Sequence, residues 1–201
     1  MQKPADNQYP IHELLKQRWS PLAFADRAVE PEKLQSILEA ARWAPSCFNE
    51  QPWRFILCRK VDADAHQRLV GCLSEGNVAW ASKAPVLMLS VAKRTFTHNG
   101  KPNRHAPYDV GAAVACAIVE ATQLGLVVHQ MAGFDAEKAR TVFAIPADYE
   151  PMAVIALGYI GNPDALSPSL RERHLGPRSR KPLNALVFEG SWDTASSLVK
   201  Q

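Results

Sequence analysis

The most constraining feature of this chain is the segment of residues 44–53, APSCFNEQPW, which joins a helical pattern to an apolar strand pattern. A proline near each end restricts the backbone of the preceding residue and makes this connection stiff. Between the prolines lie a hydroxyl, a thiol and two carboxamides. Short polar groups on a stiff connection suit hydrogen bonding to a flat, heteroatom-rich ligand. From these residues alone, an ordinary helix end with turn residues is an equally good interpretation.

Composition narrows the class of protein. A length of 201 residues suits one domain with its own core, which we expect to span 1–201. The net charge of +3 is too mild to indicate a nucleic-acid partner. No apolar stretch is long enough for a signal peptide or a membrane span. The four cysteines form no Cys-x-x-Cys pair, which predicts free thiols in a cytoplasmic protein.

Helical and strand patterns alternate along the chain. Apolar runs predict strands at 54–58, 84–91, 126–130 and 152–159, and periodic patterns predict helices between them. The helix at 108–124 is rich in small residues, which favour close packing on a partner helix. This order is compatible with a parallel α/β protein. The sequence contains neither Gly-x-Gly-x-x-Gly nor a Walker loop, so a bound phosphate would need side-chain cations.

Two basic segments are candidates for holding such a phosphate. Arg18 beside Ser20 could bind it by charge-assisted hydrogen bonds, and Arg178 and Arg180 form a second basic cluster near the C-terminus. For both segments the alternative interpretation is a solvated surface.

The residues APSxxNxQPW resemble the signature of the nitroreductase family, FMN-dependent enzymes that take hydride from NAD(P)H. The similarity continues through Arg18-x-Ser20, the Tyr-Asp-x-Gly-Ala run at 108–112, Gly133-Phe134-Asp135 and the basic C-terminal cluster. It covers a core of about residues 11–190. The resemblance implies an α+β fold with a mixed central sheet flanked by helices. It also implies a homodimer, with the long central helix at the dimer interface and the sites shared between subunits.

The resemblance also implies which residues bind the cofactor FMN. We expect the phosphate near Arg18, Trp19, Ser20, Arg178 and Arg180, and the ribityl chain or ring near Pro45, Ser46, Cys47, Asn49 and Asn77. Main-chain N–H groups around Met131, Ala132 and Gly133 would lie near the flavin N5. Phe48, Trp80 and Phe96 are candidates for the acceptor pocket. No catalytic side chain and no metal are expected, because the cofactor carries the chemistry.

This sequence departs from the family pattern at two positions. Trp19 and Leu22 stand where basic residues are common, which predicts weaker FMN binding unless another cation compensates. The polar segment 93–107 is either a solvated loop or a mobile lid whose Arg94, Lys101 and Arg104 attract NAD(P)H phosphates.

Three functional hypotheses follow. The first is an enzyme that passes hydride from NAD(P)H through FMN to a nitroaromatic, quinone or enone by a ping-pong scheme. The second is a non-catalytic protein that binds, stores or senses flavin. The third is a hydrolase with Cys47 or Ser46 as nucleophile, which would need a nearby base.

Overall fold

A four-stranded sheet forms the centre of the computed structural model, which describes residues 2–199. Its strands are β1 (Trp53–Arg59), β2 (Val86–Lys93), β3 (Val127–Met131) and β4 (Tyr149–Gly158), in the order β1-β2-β4-β3. The predicted α+β class is confirmed, but the three strand pairs are all antiparallel rather than mixed. A helical connection can return the chain at either end of a sheet, so element order alone does not fix strand direction.

Within residues 2–199, seven α-helices accompany the sheet: α1 (Glu13–Gln17), α2 (Pro31–Arg42), α3 (Ala63–Val70), α4 (Glu75–Ala81), α5 (Ala106–Gln123), α6 (Ala136–Val142) and α7 (Pro168–Leu175). Asp62 caps α3 by accepting from the Ala65 N–H, and Asp135 caps α6 by accepting from the Lys138 N–H. The helix α7 is absent from the predicted elements, because its polar residues form no apolar stripe.

Alternating side chains of the strands separate two cores, one on each face of the sheet. On β2, Val86 and Met88 contribute to one core, and Leu87 and Leu89 contribute to the other. The first core is covered by α2 and α5, and we call this the α5 face. The second is covered by α3, α4 and α6, and we call this the α4 face. Ala113 and Ala121 on α5 are fully buried, which lets this helix lie close to the sheet.

None of the helices within residues 2–199 combines the length and apolar character needed to cross a bilayer. All four cysteines are free, and Cys58 and Cys72 are buried. Burial raises the pKa of the Cys58 thiol to about 11, which makes it unreactive near neutral pH.

Candidate active site

The segment of residues 45–52, which we call the corner, has an unusual backbone. Phe48, Asn49 and Gln51 adopt left-handed φ angles of 52°, 54° and 51°. Such residues cost of order 1–3 kcal/mol each and persist where the surroundings enforce them. The Ser46 hydroxyl accepts from the Gln51 N–H at 3.0 Å, and the buried carboxylate of Asp109 on α5 accepts from the Cys47 N–H at 3.1 Å. These bonds keep the corner in its strained form.

A second carboxylate, Glu50, joins the corner to the segment after β2. Its side chain is 5% exposed, accepts from the Thr97 N–H at 2.9 Å and from the Thr97 hydroxyl, and pairs with the Lys93 ammonium at 3.3 Å. Burial alone would raise the pKa of Glu50, but the bonds from Thr97 and the charge of Lys93 outweigh it and leave this pKa below its ordinary value. The Glu50 carboxylate therefore acts as a clamp at neutral pH.

The clamped segment, residues 94–103, is a hairpin rather than an irregular loop. Thr95 forms a bridge with Pro102, and the Phe96 N–H donates to the Lys101 carbonyl at 2.9 Å. This hairpin brings Phe96 and His98 to Phe48, with ring centroids 5.3–5.8 Å apart in all three pairs. Phe48 is 80% exposed, so the cluster presents an aromatic surface to solvent.

Trp80 is not part of the aromatic cluster formed by Phe48, Phe96 and His98. Its side chain is 0% exposed and packs in the α4-face core against Phe24 and His129, with centroid distances of 6.2 and 4.5 Å. A side chain enclosed on all sides does not line a pocket open to a small molecule. The prediction that Trp80 belongs to the acceptor pocket is corrected to a core position, which tryptophan favours for its large apolar area.

The structure brings together the arginines from the two ends of the chain, since Arg178 donates to the Lys16 carbonyl at 3.3 Å, two residues before Arg18. The pKa of Arg18 is lowered from its ordinary value, first by burial and then by the charges of Arg178 and Arg180. The pKa of Arg178 is lowered by burial and by Arg180. Within residues 2–199 none of these three guanidinium groups forms an ion pair with a carboxylate. We call them the arginine cluster, whose positive charge is uncompensated and suits an anion.

The two positions that depart from the family pattern lie in the core beside this cluster. Trp19 packs edge-on against His174 at 5.0 Å, and the Leu22 N–H donates to the His174 Nδ1 at 3.1 Å. Both Trp19 and Leu22 are buried, while Ser20 is exposed. Burial lowers the pKa of His174, whose Nε2 has no partner among the described residues.

The segment of residues 131–134, which we call the Gly133 turn, packs against the start of α4. The Gly133 carbonyl accepts from the Ser74 N–H at 3.0 Å and from the Asn77 Nδ2 at 2.9 Å. A Cβ at Gly133 would lie 2.6 Å from Asn77 Nδ2 and 2.8 Å from Ser74 Oγ, so only glycine fits without displacement. The Gly133 N–H has no acceptor in the described part of the chain. Met131 is buried and Ala132 exposed.

The predicted cofactor residues therefore fall into two regions. The corner precedes β1 at one edge of the sheet and bonds to α5, whereas the Gly133 turn follows β3 at the other edge and bonds to α4. Three strand spacings of about 4.8 Å separate these edges by about 14 Å. The Pro21 carbonyl, three residues after Arg18, lies 2.8 Å from His129 Nδ1 on β3, so the arginine cluster is on the side of the Gly133 turn.

The structure offers little support for a hydrolase. The Ser46 hydroxyl is engaged by the Gln51 N–H. His66 is buried and bonds to the Ala84 carbonyl at 3.0 Å, so it is not available to activate Cys47. In the part of the chain that the structure describes, no three His, Cys, Asp or Glu side chains are grouped to hold a metal ion.

Similarity to known proteins agrees with this geometry. The sequence model of the nitroreductase family matches residues 15–159. An uncharacterised 15.4 kDa protein of Mycolicibacterium smegmatis is 36% identical over 146 residues, which cover 69% of this chain and 97% of that protein. A Streptomyces coelicolor protein, provisionally named NADH dehydrogenase/NAD(P)H nitroreductase, is 31% identical over 76% of this chain and 85% of its own length.

A solved structure described as an oxidoreductase containing FMN superposes with a TM-score of 0.89 at 35% identity. The match covers 94% of this chain and 96% of the other. The resemblance identified from the corner residues, and the assignment as an oxidoreductase of that type, are thereby confirmed. The chain belongs to the nitroreductase family.

Proposed function

We propose that this protein is an FMN-dependent oxidoreductase that passes hydride from NAD(P)H to a small electron acceptor by a ping-pong scheme. The observation that carries the proposal is the arginine cluster, three guanidinium groups from both ends of the chain with no carboxylate partner in residues 2–199. A dianionic phosphate would relieve their mutual repulsion. When bound, the flavin supplies the hydride chemistry, so no acidic or basic side chain is required.

The Gly133 turn fits the electron-rich edge of a flavin ring. Its free main-chain N–H is a donor of the kind that stabilises charge developing at an acceptor atom. Asn77, predicted to contact the flavin, donates its amide N–H to the Gly133 carbonyl. In this proposal Asn77 orients the turn, and its Oδ1 remains able to accept from a ligand.

The position of the corner supports a site shared by two copies of the chain. Pro45, Ser46, Cys47 and Asn49 lie at the opposite edge of the sheet from the arginine cluster, so they suit a flavin held mainly by a partner subunit. Phe48, Trp43 and Tyr108 are 74–80% exposed around the corner and the start of α5. Large exposed apolar groups of this kind are typical of an interface. We propose a homodimer with two such sites.

The aromatic surface of Phe48, Phe96 and His98 fits a flat acceptor. Aromatic rings stack on planar π systems, which nitroaromatics and quinones share. Enones are planar and conjugated as well. The Glu50 clamp fixes this surface relative to the corner and hence to the proposed flavin ring.

A second candidate function is flavin binding without turnover, as in a storage or sensing protein. The burial of Trp19 and Leu22 favours it, because two positions that commonly carry charge in the family are apolar core here. One experiment separates the candidates. Purified protein is titrated anaerobically with NADH and with NADPH while the visible flavin spectrum is recorded.

An oxidoreductase loses its visible flavin absorbance with one or both donors, and the absorbance returns when menadione or a nitroaromatic is added. A storage protein keeps its absorbance. A colourless protein that takes up no added FMN contradicts both candidates.

A further inference from the structure

An N-terminal arm, residues 2–9, lies beside Arg178 of the arginine cluster and the end of α1. The Ala5 N–H donates to the Lys16 carbonyl at 2.8 Å, which fixes the arm to the end of α1. Arg178 donates to the Lys3 carbonyl and, at 3.3 Å, to the Lys16 carbonyl. The arm therefore connects the two parts of the chain that supply the arginines.

The side chain of Lys3 lies between the end of α7 and the Trp19 ring, close to the positions that precede Arg178 and follow Arg18 in the chain. Its ammonium donates to the His174 carbonyl at 2.7 Å and to the Gly176 carbonyl, and it lies 4.9 Å from the centroid of the Trp19 ring. An ammonium has three N–H donors, so one is left for a further acceptor. No carboxylate pairs with Lys3 anywhere in the described residues.

Lys3 interacts electrostatically with Arg178 of the cluster. Burial lowers its pKa, and the charge of Arg178 lowers this pKa further. Two like charges are held close together without an acid between them, and a bound anion would offset the repulsion. The arm thus brings a fourth cation to the side of the structure where Trp19 and Leu22 contribute none.

We propose that Lys3 is a further residue of the phosphate site: its ammonium supplies from the N-terminal arm part of the positive charge that Trp19 and Leu22 lack, and its backbone positions Arg178. This inference rests on the proposed function, since it assigns Lys3 to the phosphate of the same FMN. The alternative is that Lys3 only caps the carbonyl end of α7.

Comparing FMN with riboflavin distinguishes the two roles, because riboflavin has the same ring and ribityl chain without the phosphate. Lys3→Met removes the charge and keeps an apolar stem over Trp19, while Lys3→Arg restores the charge. Lys83→Met, at an exposed lysine after α4, is the matched control. Dissociation constants of both ligands are measured by flavin fluorescence on full-length protein stripped of flavin, together with the melting temperature of each stripped variant.

We expect Lys3→Met to weaken FMN binding about tenfold, the loss of one charge-assisted hydrogen bond, and to leave riboflavin binding within about twofold. Lys3→Arg should recover most of the FMN affinity, and Lys83→Met should change neither constant. Unchanged FMN binding in Lys3→Met, or equal weakening of both ligands with a lowered melting temperature, overturns the inference. Failure of the wild type to bind FMN at all overturns the proposed function as well, which separates the two failures.

Discussion

The corner and the arginine cluster differ in whether their charged groups have partners. Each buried carboxylate that holds the corner has its donors: Asp109 of α5 accepts from Cys47, and Glu50 accepts from Thr97 and pairs with Lys93. In the arginine cluster, three guanidinium groups repel one another with no acid among the described residues to offset them. The corner is a strained shape held by satisfied bonds, and the cluster is an excess of charge that fits an anion.

This difference predicts which region a bound ligand should stabilise. A region of unpaired like charge gains stability when an anion binds, because binding to the native state alone shifts the folding equilibrium. The two regions should therefore respond differently to the same substitutions and to the same cofactor.

The largest effect is expected from removing charge from the cluster. Arg18→Ala combined with Arg178→Ala should weaken FMN binding by at least about a hundredfold, since each charged hydrogen bond contributes about 1.5–3 kcal/mol. Riboflavin binding should change much less. Arg68→Ala, at an exposed arginine paired with Asp64 on α3, is the control. Equilibrium dialysis with both ligands measures the difference, and equal losses for FMN and riboflavin would refute a phosphate role.

Releasing the Glu50 clamp tests the other region. Glu50→Ala leaves Lys93, 15% exposed, without its carboxylate, and should lower the free energy of unfolding by about 2–3 kcal/mol in urea titrations. Asp64→Asn, which breaks an exposed pair, should change it by less than about 0.5 kcal/mol.

The hairpin should loosen with the clamp, so the Michaelis constant for a quinone should rise in Glu50→Ala while FMN stays bound. A variant with wild-type stability and wild-type kinetics would show that the clamp has no such role.

These two regions also show which features of the fold could be predicted from the sequence alone. The apolar runs predict all four strands, and Asp62 and Asp135 are recognisable as helix caps, because these signals are local. The direction of the strands, the partners of Glu50 and the burial of Trp80 and His66 depend on contacts between distant segments. No local sequence pattern predicts these long-range contacts.

The same limit applies to the candidate site. The corner residues and the basic segments stand out in the sequence, but nothing there places them at opposite edges of the sheet. Lys3 carries no signal of its own, since an isolated lysine near a terminus is ordinarily solvated. Its contacts with His174 and Gly176 are visible only once the end of α7 has folded against the N-terminal arm.

A smaller effect is expected at the Gly133 turn. Gly133→Ala would displace Asn77 and weaken its bond to the Gly133 carbonyl, with a cost of about 1–2 kcal/mol. Gly76→Ala on α4 meets no atom within 4 Å and should stabilise the protein by about 0.5–1 kcal/mol. Thermal melts of the two variants should shift in opposite directions. A shift of the same sign in both would mean that the close approach at Gly133 is unimportant.

The smallest expected effect is the dependence of folding stability on pH. Burial lowers the pKa of His66, His129 and His174 below the ordinary value of 6.5. Their contribution to stability is therefore complete above pH 6.5, and it is lost as the pH falls through the lowered values. We expect the urea midpoint to decrease between pH 7.5 and pH 5.5. Since His129 and His174 pack beside residues 19–22, hydrogen exchange should increase there before it increases in the corner. A midpoint that rises on acidification would contradict this sign.

The most direct test of a flavin site shared by two chains is a hybrid dimer. One chain carries Arg18→Ala with Arg178→Ala, and the other carries Cys47→Trp, which places an indole where we propose the flavin ring. Each variant alone should bind almost no FMN. Hybrids purified by two different affinity tags should bind about one FMN per two chains, because one of their two sites combines both intact regions. Hybrids without FMN would show instead that each chain holds its cofactor alone, and would contradict the shared site.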